Sequence, residues 1–291
     1  APDSLGPADQ VLMLAQQSWA LTYSGSPRAG ESAAARGLAI AEQASDTAMS
    51  VWALTALLVA VGRQGRFDEA LTHARRAAAL AADSPDTRSL PLQPQFFLGL
   101  ALFDCDLVSE ARAAFRAALD DEFGSAWWLS DTLMADAQAS FAIGEWDDAV
   151  PGLIAGGQAA KEKGNVLLTS QSLAYRTIIA TATGDLRTAH ELAAGFARSL
   201  EGEQLSYNAG ILAFAAAGLK AAEGDQQAAF DLLLRCWRVD EARENRFYHR
   251  ILAPDLVRVS LALGRRDVAT EVADCVADGV ALAPEVPTVR S

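Results

Sequence analysis

Lysine is all but absent from this chain: Lys161, Lys163 and Lys220 are the only three, and the rest of the 24 basic residues are arginine. With so much alanine beside it, that composition points to a GC-rich bacterial coding sequence. Acidic residues number 37, for a formal charge of −13. Such a surface repels the phosphate backbone, whose attraction to basic side chains supplies most non-specific nucleic-acid affinity, so this segment is expected to make no direct nucleic-acid contact. Cysteine and histidine are as scarce. Cys105, Cys236 and Cys275 include no C-x-x-C pair and have no histidine at ligand spacing, and they read as buried or indifferent thiols in a reducing cytoplasm. No run reaches the ~20 apolar residues of a membrane span, since even MSVWALTALLVAVG stops at Arg63. Sustained β-branched alternation is missing, which argues against strands. The opening APDSLGPADQ has no initiator Met and no signal-peptide regions, and APEVPTVRS stops abruptly after a helical run. A cytoplasmic domain excised from a longer protein is the expectation.

What the chain does have is a period. With 51% hydrophobic and 21% charged residues it can bury an interior. GRFDEAL at 65, DLVSEAR at 106, GEWDDAV at 144, GDLRTAH at 184, GDQQAAF at 224 and GRRDVAT at 264 align on a turn residue and an alanine. Those alanines are Ala70, Ala111, Ala149, Ala189, Ala229 and Ala269, at intervals of 41, 38, 40, 40 and 40 residues. The glycine suits the left-handed end of one helix, an acid such as Asp185 or Asp225 suits the start of the next, and the alanine suits a close crossing. Apolar residues then continue at helical spacing, as in Ala111, Phe115 and Ala118. One period is helix, tight turn, helix. The predicted hairpins span 8–44, 46–83, 94–122, 125–163, 165–201, 204–240 and 244–283, within a single domain over 1–291. The first has an irregular turn, SGSPRAG, and SPDTRSLPLQP at 84–94 reads as a widened turn.

A helical hairpin with G-x-x-x-E-A at its turn resembles the tetratricopeptide repeat, whose usual period is shorter, about 34 residues. The expected fold is all-α, a right-handed superhelix or solenoid of about seven such repeats with a period near 40. HRILAPDLVRVSLALGRRDVATEVA, 249–273, is similar to a segment near the end of the superhelical domain of the large ATP-dependent LuxR-family regulators, the class that includes the maltose-regulon activator. That resemblance implies a non-catalytic sensor of a bacterial transcriptional regulator, binding a small-molecule inducer or an inhibitory or partner protein. ATP and DNA would be handled by other domains, because this chain carries neither a phosphate loop nor a basic recognition helix. The alternative is a free-standing scaffold for a peptide or protein.

The same resemblance places ligands on the concave side, on columns counted back from the turn alanine. These give Trp52, Gln93, Phe96, Asp131, Met134, Gln171, Tyr175 and Phe214 as binding residues. Aromatics and Met beside isolated amides and a carboxylate suit an adaptable groove, and they equally suit packing between adjacent helices. A further column, Trp127, Leu167, Tyr207 and Phe247, reads as packing between repeats, with Trp127 buried. Arg176 and Arg258 are too few to clamp acidic peptide tails. ENRFYHR at 244–250 offers arginine, aromatics and His249, and reads as a solvated helix face, with Pro254 in the first turn of a new helix. For an enzyme, LDDEF at 119–123 supplies paired acids, but at a helix end where solvation accounts for them. His73, His190 and His249 lie in no nucleophile or metal motif. The expectation is therefore no catalytic, cofactor or metal residue.

Overall fold

The computed structural model describes residues 5–84, 92–120, 125–202 and 205–287, apart from the side chains at 125 and 126. Most of the 84–94 connector and of LDDEF falls outside these residues. Those described contain α-helices and no strand. The helices come in consecutive pairs: α1 (Pro7–Tyr23) with α2 (Pro27–Gln43), α3 (Thr47–Arg63) with α4 (Phe67–Asp83), and α5 (Pro94–Asp104) with α6 (Val108–Asp120). Then follow α7 (Ser125–Ala142) with α8 (Trp146–Glu162), α9 (Val166–Ala182) with α10 (Leu186–Ala194), α11 (Ala209–Ala222) with α12 (Gln226–Ala242), and α13 (His249–Ala262) with α14 (Arg266–Val280). This is the all-α helical repeat expected from the period.

Every hairpin turn is built alike. The second residue past the first helix takes positive φ, 81° at Gly65, Gly144 and Gly184 and 88° at Gly224. Its N–H bonds three residues back while the next N–H reaches five back, as Gly144 does to Phe141 and Glu145 to Ser140. That double bond satisfies carbonyls the helix end would leave bare. In the third pair Asp106 adopts the same conformation at φ 61°. The irregular first turn proves regular in backbone: Gly25 has φ 97°, and Gly25 and Ser26 make the same two bonds to Thr22 and Leu21. Gly30 stands there where the other repeats carry alanine. The expected caps form too, with Asp185 accepting from the Thr188 N–H and Asp225 from the Ala228 N–H.

All six turn alanines are buried. Within each unit of the chain, second helices lie on the next first helix, as α2 does on α3, α8 on α9 and α12 on α13, and first helices touch one another, as α1 does α3 and α9 does α11. A helix covered on several sides has to be apolar nearly all round, which is why α3 buries most of its length while α4 buries one stripe.

The chain divides into two compact units. One comprises the residues up to Thr132 with Arg243–Asn245 and Leu282–Pro287. Phe115 and Leu54 are among its fully buried side chains. The other comprises Leu133–Ala242 and Arg246–Ala281, and Trp237, Phe196, Phe230 and Met134 are among its fully buried side chains. No helix among the described residues is long and apolar enough to cross a membrane.

Candidate binding surface

In the first unit, three of the four predicted groove residues are used in packing. Trp52 is buried against Trp19, with ring centroids 5.4 Å apart. Gln93 is 1% exposed, and its Nε2 donates to the Ala118 carbonyl at 2.9 Å, tying the start of α5 to the end of α6. Phe96 is buried between Trp128, stacked at 5.3 Å, and the edge of Phe97 at 5.1 Å. Asp131 stays half-buried and accepts from the Ser130 hydroxyl.

Asp131 also marks a surface that column counting did not find. Burial raises the pKa of Tyr23, Arg63 lowers it, and Asp131 raises it again, so both charges act on one phenol. Tyr23 nevertheless leaves 42% of its surface to solvent. The three residues thus make up one polar patch, open to solvent at Tyr23. Its members come from α1, α3 and α7, and Trp19 is half-buried one turn before Tyr23. Tyr23 and Arg63 occupy the same place in successive repeats, each being the last residue of a first helix. The signal was present in the sequence: aligning the first turn on Gly25 puts them in register.

In the second unit Met134 is fully buried with Leu153, Leu168 and Ile179. Gln171, Tyr175 and Phe214 remain half-buried. The Tyr175 hydroxyl donates to Gln138 Oε1 at 3.5 Å, and its ring meets Phe141 edge-on at 5.2 Å. Phe141 in turn stacks on Trp146. Arg176 is half-buried, and desolvation lowers its pKa, while Arg258 is held by Asp255 on its own helix at 2.7 Å.

Three expectations need correcting. Trp127 is 70% exposed, not buried between repeats; the neighbouring Trp128 turns inward instead. The column failed because the first helices start at different distances from their turn alanines. Trp127 lies inside the first turn of α7, whereas Tyr207 precedes α11. ENRFYHR is no solvated face, because Asn245, Tyr248 and His249 are all buried. Pro254 lies inside α13, which already begins at His249, rather than in its first turn.

No known protein family and no curated protein matches the sequence. Among solved structures, a chain in the crystal structure of the APC/C hetero-tetramer Cut9–Hcn1 matches with a TM-score of 0.57 at 14% identity. The match covers 94% of this chain and 46% of that one, so this chain spans about half the length of its structural relative. The likeness is one of fold, a tetratricopeptide-like helical repeat.

Proposed function

We propose that this chain is a non-catalytic binding module that takes a ligand or protein partner on the exposed faces of its first helices. The observation behind this reading is the polar patch in the first unit, where Tyr23, Arg63 and Asp131 bring a phenol, a guanidinium and a carboxylate together from three separate helices. Polar groups of both signs beside the half-buried Trp19 fix the orientation of a ligand, and the aromatic surface supplies the area. Gln171, Tyr175 and Phe214 offer a second, more apolar surface in the other unit. Helical-repeat folds of this type serve as scaffolds for protein partners, which fits the same surfaces.

On the finer scale, the module is the sensor segment of a bacterial ATP-dependent LuxR-type regulator. The segment 249–273 supports that reading; in the structure it spans α13 and most of α14, a coherent hairpin. A free-standing scaffold would share every other feature. Reading the complete gene separates the two, because only the regulator requires an upstream phosphate loop and a downstream helix-turn-helix.

A thermal-shift screen against metabolites and oligosaccharides, followed by affinity capture with Asp131→Ala and Tyr23→Ala as controls, tests the binding reading. A small-molecule hit at 100 times its dissociation constant adds roughly 2.7 kcal/mol of stability. Either variant should weaken the bound species by about tenfold with its own melting temperature nearly unchanged, the loss expected for one good polar contact. Full retention of binding in both variants would move the site away from this polar patch.

A further inference from the structure

The second unit holds a cluster that the function above does not use. Glu241 lies in the last turn of α12, His249 opens α13, and Cys275 lies in α14. Their ligand atoms all fall within 4.8 Å of one another. His249 Nε2 is 3.5 Å from Glu241 Oε1, and Cys275 Sγ is 3.5 Å from the same oxygen. His249 is 6% exposed, its ring stacks on Trp237 at 4.0 Å, and its Nε2 is buried with no hydrogen-bond partner. An imidazole nitrogen, a carboxylate and a sulfur on three helices converge on one point, and the nitrogen is left without a proton donor or acceptor of its own.

We propose that Glu241, His249 and Cys275 form a binding site for a divalent transition-metal ion of the zinc class. Imidazole, carboxylate and thiolate are together the donor set that zinc accepts, and three protein ligands with a water complete a tetrahedron. Metal–ligand bonds of ~2.0–2.3 Å put neighbouring ligand atoms roughly 3.3–3.7 Å apart. Both separations to Glu241 Oε1 are already in that range, and the remaining one closes by side-chain rotation. The imidazole is placed for the role: its Nε2 is buried, takes no hydrogen bond and lies beside the other two ligand atoms. Metal binding would displace the proton of the Cys275 thiol to solvent. Among the charges that bear on the cluster, Arg246 opposes a cation and Asp278 favours one, while Arg238 is engaged by Glu271. A carboxylate and a thiolate outweigh the arginine. Glu241 and Cys275 are half-buried, which leaves an entry path. Bound there, the ion would clamp the last hairpin to the end of α12.

The test uses the whole chain, reduced and stripped with a chelator, titrated with zinc by calorimetry and with cobalt by absorption. Expected are one ion per chain, thiolate-to-cobalt charge-transfer absorption, the intense visible bands of tetrahedral cobalt, and displacement of cobalt by zinc. Cys275→Ser should abolish the charge-transfer band, and Glu241→Gln should weaken zinc by more than about tenfold, the least that losing even an outer-shell partner costs. Because changing His249 would disturb its stack on Trp237, these two variants carry the comparison, with circular dichroism confirming their fold. A wild-type chain that takes up no cobalt, a charge-transfer band that persists in Cys275→Ser, or an unchanged zinc affinity in Glu241→Gln overturns the proposal. Tyr23, Arg63 and Asp131 do not enter this experiment, so its failure and that of the binding reading are separate events.

Discussion

A single missing methyl group separates the first hairpin from the others. A Cβ on Gly30 would overlap the Thr22 hydroxyl and lie 2.8 Å from the Ser18 carbonyl oxygen, a backbone atom that cannot step aside. Glycine therefore lets α2 approach α1 where alanine suffices elsewhere. Gly30→Ala should lower stability by about 1–3 kcal/mol, the usual cost of overpacking, despite alanine's better helix propensity. Gly218, inside α11, gives the opposite sign. Nothing lies within 4 Å of a Cβ built there, so Gly218→Ala should raise stability by roughly 0.5–1 kcal/mol. Denaturant midpoints of the two variants check both signs in one experiment. The same scale shows why the binding residues were harder to read than the fold. Trp127 and Trp128 are chemically identical neighbours, and only the position of Phe96 and Phe97 decides which is buried. Glu241, His249 and Cys275 meet through the packing of three helices, with no short spacing to reveal them.

Between elements, the turns made the repeat legible. A closing residue with positive φ and a small residue five positions on are geometric requirements of the hairpin, so they recur in the sequence. The first turn reads as irregular in the sequence because Gly30 replaces the alanine, although its backbone bonds are the same. A polar link adds to this framework in the first unit. Glu31 of α2 accepts from Gln64 Nε2 at 2.7 Å and from Arg66 at 2.8 Å, joining α2 to the turn between α3 and α4. Burial pushes the Glu31 carboxyl up, but those hydrogen bonds and the Arg66 charge outweigh it and leave its pKa below the usual range. With the folded pKa lowered, the link stabilises fully above the unfolded carboxyl value and is lost as pH falls through the folded one. Glu31→Gln should cost about 1 kcal/mol at pH 7, discounted for its partial exposure, and almost nothing below the folded pKa. Melting curves of both proteins from neutral to acid pH check this; a constant difference would show that the charge contributes nothing.

For the molecule as a whole, the net charge of −13 is the dominant electrostatic fact. The exposed ion pairs, such as Arg187 with Glu191, contribute little each, whereas self-repulsion acts over the entire acidic surface. Raising salt from about 10 to about 150 mM shortens the screening length from roughly 30 to 8 Å and should raise the melting temperature. A fall would mean that local pairs outweigh the repulsion. The repeated turn has a consequence for synthesis as well. Each hairpin closes its reversal with two main-chain bonds drawn from residues at most five apart, and much of its packing is with the elements beside it. A nascent chain can thus close the turn of one hairpin before the next has left the ribosome. Growth by successive docking keeps the exposed apolar face down to a single helix pair at any moment, which limits aggregation while the chain is being made.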